Sequence, residues 1–302
     1  MSRAQILLST YNGARYLEAL LDSVARQNHG GFSILVRDDG SADETSTILD
    51  RYAGRGVLRT LPASHVGAAA SFIDLLVHAD TDADHVAFCD QDDVWLPDKL
   101  ARATDWLDRQ PSETPVLYCG RTMVVDEDLR PLSLSALPRH PPCFENALVE
   151  NIAAGCTMAM NRAARRLLVA TPAAPALAHD WWAYLVVAAF GLVLYDAEAR
   201  VLYRQHGANA VGAQTGFARR WSRRVKFFRQ NRRELPMVWR ALEFQRLFER
   251  ELEPGKARVL ARFLDRRRSW GASIAYAARP DVFRQGRFDN VILRALLASK
   301  LA

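Results

Sequence analysis

Three aspartates within four positions are the residues best suited to chemistry in this sequence. Asp90, Asp92 and Asp93 directly follow an apolar run that ends at Cys89. Carboxylates this close repel one another unless a cation compensates, and their hard oxygen atoms suit Mg²⁺ or Mn²⁺. Capping a helix that starts near Pro97 would require only one of them. The cluster therefore predicts a metal site that binds phosphate oxygens.

Two further polar segments follow apolar runs in the same way. Thr10, Tyr11 and Asn12 come after the first run, and Asp38 and Asp39 come after the second. An acidic side chain there can accept a hydrogen bond from a nucleobase or a ribose hydroxyl, and a tyrosine can stack on a base. An ordinary Asp-Gly turn would explain the second segment alone. The two segments together favour nucleotide binding.

Alternating strands and helices would bring these polar segments to one edge of a sheet. Apolar runs alternate with segments of helical periodicity in the first half of the chain. Such alternation predicts a mostly parallel sheet, which is buried on both faces and binds ligands beyond the carboxyl ends of its strands. The predicted strands span 5–10, 32–37, 57–61 and 85–89, and the predicted helices span 16–24, 68–78 and 181–195. A further predicted helix runs through Tyr52 and would be capped by Ser41 or by Asp43.

Glycine-rich phosphate loops are absent from the sequence. Neither a G-x-G-x-x-G motif nor a G-x-x-x-x-G-K-[ST] motif occurs, which argues against dinucleotide sites and Walker-type ATP sites. Phosphate would then be neutralised mainly by a metal ion, in agreement with the aspartate cluster.

Length and composition indicate a folded protein of ordinary type. The 302 residues suffice for one large α/β domain, alone or with a smaller appendage, and 49% of them are hydrophobic. The four cysteines form no C-x-x-C pair, so we expect a reducing cytoplasm. The N-terminal apolar stretch is too short for a signal peptide, and no uncharged apolar stretch reaches the roughly 18–20 residues that span a bilayer. We therefore predict neither secretion nor a transmembrane helix.

Arginines crowd residues 216–233, where no acidic residue occurs. Phe217, Trp221, Val225 and Phe228 recur there three or four positions apart, which predicts an amphipathic helix with a basic opposite face. We expect one domain over 1–215 and a basic, mainly helical extension over 216–302. The extension would either contact an anionic membrane surface or pack its aromatic side on the first domain.

Two other classes of protein share part of this pattern. Arginines interleaved with aromatic residues suit a basic nucleic-acid-binding or membrane-binding protein without catalysis. That hypothesis leaves the aspartate cluster unexplained, so we do not expect nucleic acid as a partner. A metal-dependent nucleotidyltransferase would use a similar metal site, but its usual glycine- and lysine-rich first loop is missing.

The segments LLSTYNGARYLEALLDSVARQ, VRDDGSADET and FCDQDDVW resemble, in order and spacing, the start of an inverting family-2 glycosyltransferase with the GT-A fold. Three later segments, GCTMAMNR, HDWW and YRQHGANAVG, resemble the rhamnosyltransferase-like branch of that family. The resemblance covers roughly the first 215 residues. It implies a Rossmann-like, mostly parallel sheet flanked by helices.

The resemblance also implies roles for individual residues. It implies nucleotide binding by Thr10, Tyr11, Asn12, Asp38 and Asp39. It implies that Asp90, Asp92 and Asp93 contact the diphosphate and the donor sugar, and that Asp90, Asp92 and His206 hold Mg²⁺ or Mn²⁺. A histidine such as His206 is by itself more often a satisfied polar residue than a metal ligand.

The catalytic base is implied at Asp180, where the family usually has a Glu-Asp pair and this chain has His179 before the aspartate. From the residues alone, Asp180 is about as well explained as the cap of an apolar helix. Desolvation beside Trp181 and Trp182 would suit a general base. The acceptor side is implied to include Gly155, Cys156 and Trp181.

The implied activity is inverting transfer of a sugar from a nucleotide-sugar donor to a hydroxyl of a glycan or lipid-linked acceptor. The resemblance favours dTDP-L-rhamnose as the donor and cell-surface polysaccharide biosynthesis as the process. We expect a cytoplasmic protein that contacts the inner face of the membrane peripherally.

Overall fold

The computed structural model of the protein describes residues 2–61, 64–171, 178–206 and 236–299. Two compact units are present, one formed by residues 1–137 and 153–208 and the other by residues 138–152 and 209–302. The predicted basic helix over 217–228 lies outside the described residues.

The first unit begins with strands and helices in strict alternation, as the sequence predicts. In α1, for example, Leu17, Leu20, Leu21 and Val24 are buried at helical spacing, which produces one apolar face. These elements are β1 (Ala4–Thr10), α1 (Ala14–Ala25), β2 (Phe32–Asp38), α2 (Thr45–Ala53), β3 (Arg59–Leu61), α3 (Ala68–His78) and β4 (His85–Asp90).

The register of β1 aligns the polar ends of three strands. β1 pairs in parallel with β2 and β4, so that Thr10 lies opposite Asp38 and Ser9 lies opposite Asp90. The strands are almost entirely buried, as expected for a parallel sheet covered on both faces. The prediction that the polar segments share one edge of the sheet is confirmed.

The rest of the sheet is mixed rather than parallel. Its order is β3-β2-β1-β4-β8-β6-β9-β5, with β7 paired to β6; β8 is antiparallel to both neighbours and β9 is parallel to β6. The α/β class is therefore confirmed, with the parallel arrangement confined to β1–β4 and the β6–β9 pair. The remaining elements up to β9 are β5 (Val94–Trp95), α4 (Lys99–Asp108), β6 (Val116–Val125), β7 (Pro131–Leu134), α5 (Phe144–Ala147, in the second unit), a 3-10 turn (Gly155–Thr157), β8 (Ala159–Asn161), α6 (Arg162–Ala170), α7 (His179–Phe190) and β9 (Leu192–Arg204).

The predicted helix over 181–195 is wrong at its C-terminal end. Helix α7 stops at Phe190, and the chain becomes strand β9 at Leu192. A side chain at Gly191 would overlap the backbone carbonyl of Pro115, and Leu192 N–H donates to that carbonyl at 2.9 Å. The apolar run thus belongs to two elements, because Gly191 turns the chain into the sheet.

The second unit consists of helices. Its core includes Phe244, Phe248, Phe263 and Leu293, all fully buried. None of the helices within the described ranges combines the length and the apolar character needed to cross a bilayer. Besides α5, this unit contains α8 (Pro236–Phe248), α9 (Pro254–Asp265), a 3-10 turn (Arg266–Arg268), α10 (Trp270–Ala278) and α11 (Arg287–Ala298).

Candidate active site

The acidic cluster lies where β4 ends. Asp90 is the last residue of β4, and Asp93 in the following turn is completely buried. Asp93 Oδ1 accepts a hydrogen bond from Arg204 N–H at 3.1 Å, but its Oδ2 receives no well-aligned hydrogen bond from the described part of the chain. One ligand atom from each of Asp90, Asp93 and Cys156 lies within 4.8 Å of the other two. An orphaned buried carboxylate oxygen in such a group fits a cation site.

The carboxylates of the cluster hold protons more tightly than usual. Burial raises the pKa of Asp90 to about 7, assisted by the charges of Asp92 and Asp180 and opposed by Lys99. Burial, with Asp90 and Asp92, raises the pKa of Asp93 well above its ordinary value. The charged forms of these carboxylates are therefore poorly stabilised by the protein itself, and a divalent cation would favour those charged forms.

His206 lies beside Asp92 because of strand pairing that is remote in sequence. β5 and β9 are antiparallel, with Val94 opposite Leu202, and the chain beyond β9 therefore passes the turn that contains Asp92. His206 Nε2 lies 2.8 Å from Asp92 Oδ2, and both side chains are largely buried. Two ligand atoms of one octahedral ion lie about 3 Å apart, so this spacing suits either a hydrogen bond or a shared metal.

Two buried cations flank the cluster, and sequence reasoning missed both. Lys99, 1% exposed, places Nζ 3.3 Å from the centroid of the Trp95 ring, and burial lowers the pKa of its ammonium to about 8. Arg204, 4% exposed, donates to the carbonyl oxygens of Asp92 and Glu127. Tyr16 packs against the Arg204 guanidinium at 4.6 Å and against the His206 ring at 4.8 Å.

Asp180 lies in the first turn of α7 and is close enough to Asp90 to raise the pKa of that residue. Its Oδ1 accepts a hydrogen bond from Trp181 N–H at 2.6 Å, whereas the residue before the helix is Ala178. Asp180 is therefore inside the helix and not its N-cap. Its carboxylate faces the same cluster as the metal candidates.

His179 fixes the start of α7. Its ring stacks on Phe72 at 4.1 Å and meets the edge of Phe88 at 5.1 Å, and burial lowers its pKa, so it is neutral. A Cβ on Gly155 would lie 3.0 Å from His179 Nε2 and 3.4 Å from the Asp180 Cβ. Glycine therefore allows the 3-10 turn and the start of α7 to approach each other.

The other residues predicted for the acceptor side have different surroundings. Cys156 is 1% exposed, and burial, with Asp93 and Asp90, raises the pKa of its thiol well above its usual value. A protonated thiol is a poor ligand for a hard cation, so the Cys156 thiol is better suited to a hydrogen bond with Asp93 than to binding a metal. Trp181 is partly exposed, whereas Trp182 is completely buried in the core.

At the next strand ends, Asp38 is held by three hydrogen bonds. Its Oδ1 accepts from Thr10 Oγ1 at 2.7 Å and from Ser41 Oγ at 2.6 Å, and its Oδ2 accepts from Ser41 N–H at 3.0 Å. Thr10 itself is only 1% exposed. Thr10 thus orients Asp38, and any effect of Thr10 on a nucleotide would pass through that carboxylate.

The Tyr11 ring is exposed to solvent, while the Tyr11 backbone is held by two hydrogen bonds to one side chain. The side-chain amide of Gln91 accepts from Tyr11 N–H at 2.8 Å and donates to Tyr11 O at 3.0 Å. A Cβ on Gly13 would overlap that amide, so these two hydrogen bonds require glycine there. The Tyr11 ring is 47% exposed and lies 4.8 Å from the His65 ring. Such an exposed, anchored ring pair can receive a nucleobase.

Asn12 and Asp39 are engaged within the protein. Asn12 has a positive φ of 48° and its side-chain oxygen accepts from Ala42 N–H at 2.8 Å, which ties the loops after β1 and β2 together. Asp39 is 2% exposed; burial tends to raise its pKa, but hydrogen bonds from Val66, Arg37 and Gly67 outweigh burial and leave the pKa below its usual value. Asp39 therefore shapes the β3–α3 loop.

The fold brings the polar ends of β1, β2 and β4 to one sheet edge, where Gln91 links the acidic cluster to the Tyr11 segment. Sequence reasoning missed Gln91, Lys99 and Arg204. Gln91 lies inside the acidic motif and Lys99 follows it closely, so the positions of both residues in the sequence could have indicated that they belong to the site. Arg204 has no such signal, because its burial depends on the pairing of β9.

Solved structures with the same architecture include two that contain a nucleotide sugar. S. aureus TarS 1–349 in complex with UDP-GlcNAc matches with a TM-score of 0.64 at 16% identity, covering 99% of this chain and 87% of that chain. Mannosyltransferase PcManGT from Pyrobaculum calidifontis, in complex with GDP-Man and Mn2+, matches with a TM-score of 0.56 at 20% identity, covering 98% and 79%. These likenesses show the fold, which is the GT-A type that the sequence resemblance implies.

Sequence comparisons identify the family. The dTDP-rhamnosyl transferase RfbG of Shigella flexneri is 28% identical over 245 residues, which is 74% of this chain and 81% of that protein. The model of the family described as Glycosyl transferase family 2 matches residues 5–170, more than half of the chain. This chain therefore belongs to glycosyl transferase family 2.

Proposed function

We propose that this protein transfers a sugar from a nucleoside diphosphate to an acceptor hydroxyl with inversion of the anomeric centre. The proposed donor is dTDP-L-rhamnose, which is supported by the similarity to RfbG. The proposed acceptor is a glycan or a lipid-linked glycan of cell-surface polysaccharide biosynthesis, reached at the cytoplasmic face of the membrane. Residues 1–215 would carry catalysis.

The observation that supports this proposal most strongly is the group of buried, poorly neutralised carboxyl groups at the end of β4. Asp90 and Asp93 keep raised pKa values even though Lys99 is buried nearby. A protein that merely needed a turn here would have no reason to bury an orphaned carboxylate oxygen at Asp93. A cation that bridges to a pyrophosphate would explain the first feature, and contact of Asp93 with that cation or with the donor sugar would explain the second.

Asp90 and Asp92 would hold Mg²⁺ or Mn²⁺, with His206 as a third ligand and Asp93 beside the donor sugar. The bound cation would supply charge stabilisation for the leaving diphosphate. Arg204 and Tyr16 hold His206 and the turn of Asp92 in place, so little reorganisation would accompany binding.

Asp180 would accept the proton of the attacking hydroxyl. It lies near Asp90 at the start of α7, where neutral His179 and Gly155 fix the helix end. With the base on the acceptor side and the diphosphate on the opposite side, the hydroxyl would attack the anomeric carbon in one displacement. One displacement inverts that centre, and Gly155, Cys156 and Trp181 would border the acceptor.

The nucleotide would lie over the ends of β1 and β2. Asp38 has a carboxylate oriented by Thr10 and Ser41, which suits a ribose or nucleobase donor group. The base would stack on Tyr11, while Asn12 and Asp39 would support the loops around it.

The test is a thermal-shift screen of dTDP, UDP and GDP sugars with Mg²⁺ or Mn²⁺, followed by transfer assays with the stabilising donor. We expect stabilisation by dTDP-L-rhamnose that depends on the metal, and a product whose anomeric configuration is opposite to that of the donor by NMR. Stabilisation by no sugar nucleotide under any metal condition would refute the proposal.

Two variants separate the proposed roles. Asp92→Asn should abolish both metal-dependent donor binding and transfer, whereas Asp180→Asn should retain donor binding and lose transfer. Asp105→Asn, an exposed aspartate on α4, is the matched control and should behave like the wild type. Full activity of the Asp92 or Asp180 variant would contradict the role assigned to that residue.

A further inference from the structure

Helix α10 of the second unit exposes an apolar face. Trp270 and Ile274, one turn apart, are each 60% exposed, whereas Tyr276 and Ala277 on the other side are buried. The exposed positions of this helix, by sequence, are Trp270, Gly271, Ile274, Ala275 and Ala278. A helix on the surface of a globular protein usually presents polar residues to water, so an exposed side without any polar side chain is a candidate for contact with a partner.

The neighbouring helix α11 repeats the pattern. α11 packs against α10 through a side that includes Leu293 and Leu297, which are fully buried. Phe288 and Val291 on its other side are 51% and 65% exposed. We call Trp270, Ile274, Phe288 and Val291 the α10–α11 face.

The charged residues around the α10–α11 face are arginines. Residues 266–299 contain seven arginines and two aspartates. Arg287 and Arg294 are exposed on α11 beside Phe288 and Val291, and among the described positions of α10 and α11 no exposed position is acidic. One of the two aspartates, Asp281, pairs with Arg262 at 3.0 Å.

A cleft of about 540 Å³ adjoins the start of α11 and adds to this positive character. Its lining includes Arg139, His140 and Arg287. Gln285 also lines the cleft, and its side-chain oxygen Oε1 accepts hydrogen bonds from the backbone N–H groups of Arg139 and His140 at 2.9 and 2.8 Å. Two arginines and a histidine therefore line one cleft at the start of α11, the helix that exposes Phe288 and Val291.

We propose that the α10–α11 face docks on the surface of an anionic phospholipid bilayer, with both helices lying in the interface. Exposed aromatic and aliphatic side chains would enter the boundary of the acyl chains while arginines contact headgroup phosphates. A second copy of the chain is a poorer occupant, because a symmetric contact would bring arginine next to arginine. Docking on lipid is independent of sugar transfer, so each proposal can fail alone.

The experiment is flotation of the full-length chain with vesicles, without donor or metal. Wild-type protein should float with vesicles of phosphatidylethanolamine and phosphatidylglycerol and remain unbound with phosphatidylcholine vesicles. Absence of flotation with the anionic vesicles, or equal flotation with both compositions, would overturn the proposal.

Apolar variants test the face itself. The pair Trp270→Ser and Ile274→Ser, or the pair Phe288→Ser and Val291→Ser, should weaken vesicle binding at least about tenfold, because buried apolar area drives interfacial binding. The matched control changes Trp239 and Leu242 to serine, which are 50% and 40% exposed on α8. The control should bind as the wild type does, and Trp270→Phe should retain binding.

Charge variants test the lipid class. Removing Arg287 and Arg294 by alanine should lower affinity about fivefold for each arginine at low salt. Arg258→Ala, an exposed arginine on α9, is the control and should change little. The basic segment 216–233 is intact in every variant, so unchanged binding by the apolar and charge variants would overturn the proposal. If the wild type binds no vesicles but self-associates in sedimentation, and the apolar variants do not self-associate, the face would instead bind a second copy of the chain.

Discussion

Replacing Asp90 by asparagine is expected to stabilise the metal-free protein while abolishing sugar transfer. Burial, Asp92 and Asp180 raise the pKa of Asp90 from 3.8 to about 7. A carboxyl group whose pKa is raised by folding contributes stability that is present at low pH and is lost as the pH rises through the folded value. The wild type should therefore lose stability between about pH 4 and pH 7, and Asp90→Asn should lack this loss.

The size of the effect follows from the shift. About three pKa units correspond to about 4 kcal/mol at pH 8, where the carboxylate is charged in both states. Asp93 and Lys99 respond to the same substitution and will absorb part of that energy, so we expect a gain of about 2 kcal/mol. For a unit of this size, that corresponds to a rise in Tm of about 4 to 8 °C.

The assay is thermal denaturation of wild type and variant in EDTA at pH 5 and pH 8, repeated with Mn²⁺. The variant should melt somewhat higher than the wild type at pH 5, where about a third of the loss has occurred, and distinctly higher at pH 8. Only the wild type should gain stability from the metal. Asp105→Asn is the control for loss of one aspartate. A variant that melts below the wild type at pH 8, or that keeps the same pH dependence, would refute the electrostatic reasoning.

Three other changes give sharp expectations. Gly155→Ala should lower kcat about 100-fold with the fold intact by circular dichroism, because its Cβ would lie 3.0 Å from His179 Nε2 and displace Asp180. Gln91→Ala should weaken nucleotide binding about tenfold by calorimetry, since two hydrogen bonds to the Tyr11 backbone are lost. The affinity of the wild type for Mn²⁺ should rise with pH up to about pH 7 and then level off, because binding requires the Asp90 carboxylate; calorimetry from pH 5 to pH 8 measures this.

The sequence was sufficient to predict the helices and strands that consist of one long, continuous apolar pattern. The helix predicted over 68–78 is α3 with the same bounds, and the predicted strands over 5–10, 32–37 and 85–89 correspond to β1, β2 and β4. Burial of these strands on both faces produces continuous apolar runs, and the polar residues at their ends stand out against them. The common position of these polar residues at one edge of the sheet was therefore predictable from the sequence.

Short and non-local strands were not predictable in the same way. β5 has two residues and β8 has three, too few for any periodicity, and both are defined by their partners. The first residues of β9 continue the apolar run of α7, and only the contact of Gly191 with Pro115 separates the two elements. The place of His206 beside Asp92 depends on this pairing, so the sequence suggested the residue without a geometric reason.

Lys99 shows why the electrostatic balance of the site also escaped sequence reasoning. A lysine in the first turn of an amphipathic helix is normally solvated, yet this one is buried and its pKa is lowered to about 8 by that burial. Keeping an ammonium there costs free energy unless nearby carboxylates repay it, and Asp93 and Asp90 do act on Lys99 in that direction. The carboxyl groups nevertheless retain raised pKa values, with burial as the largest cause, so Lys99 does not offset the cost of burying their charged forms. A divalent cation would favour the charged carboxylates over the protonated carboxyl groups, and this gain is what would make binding of a metal together with a diphosphate favourable.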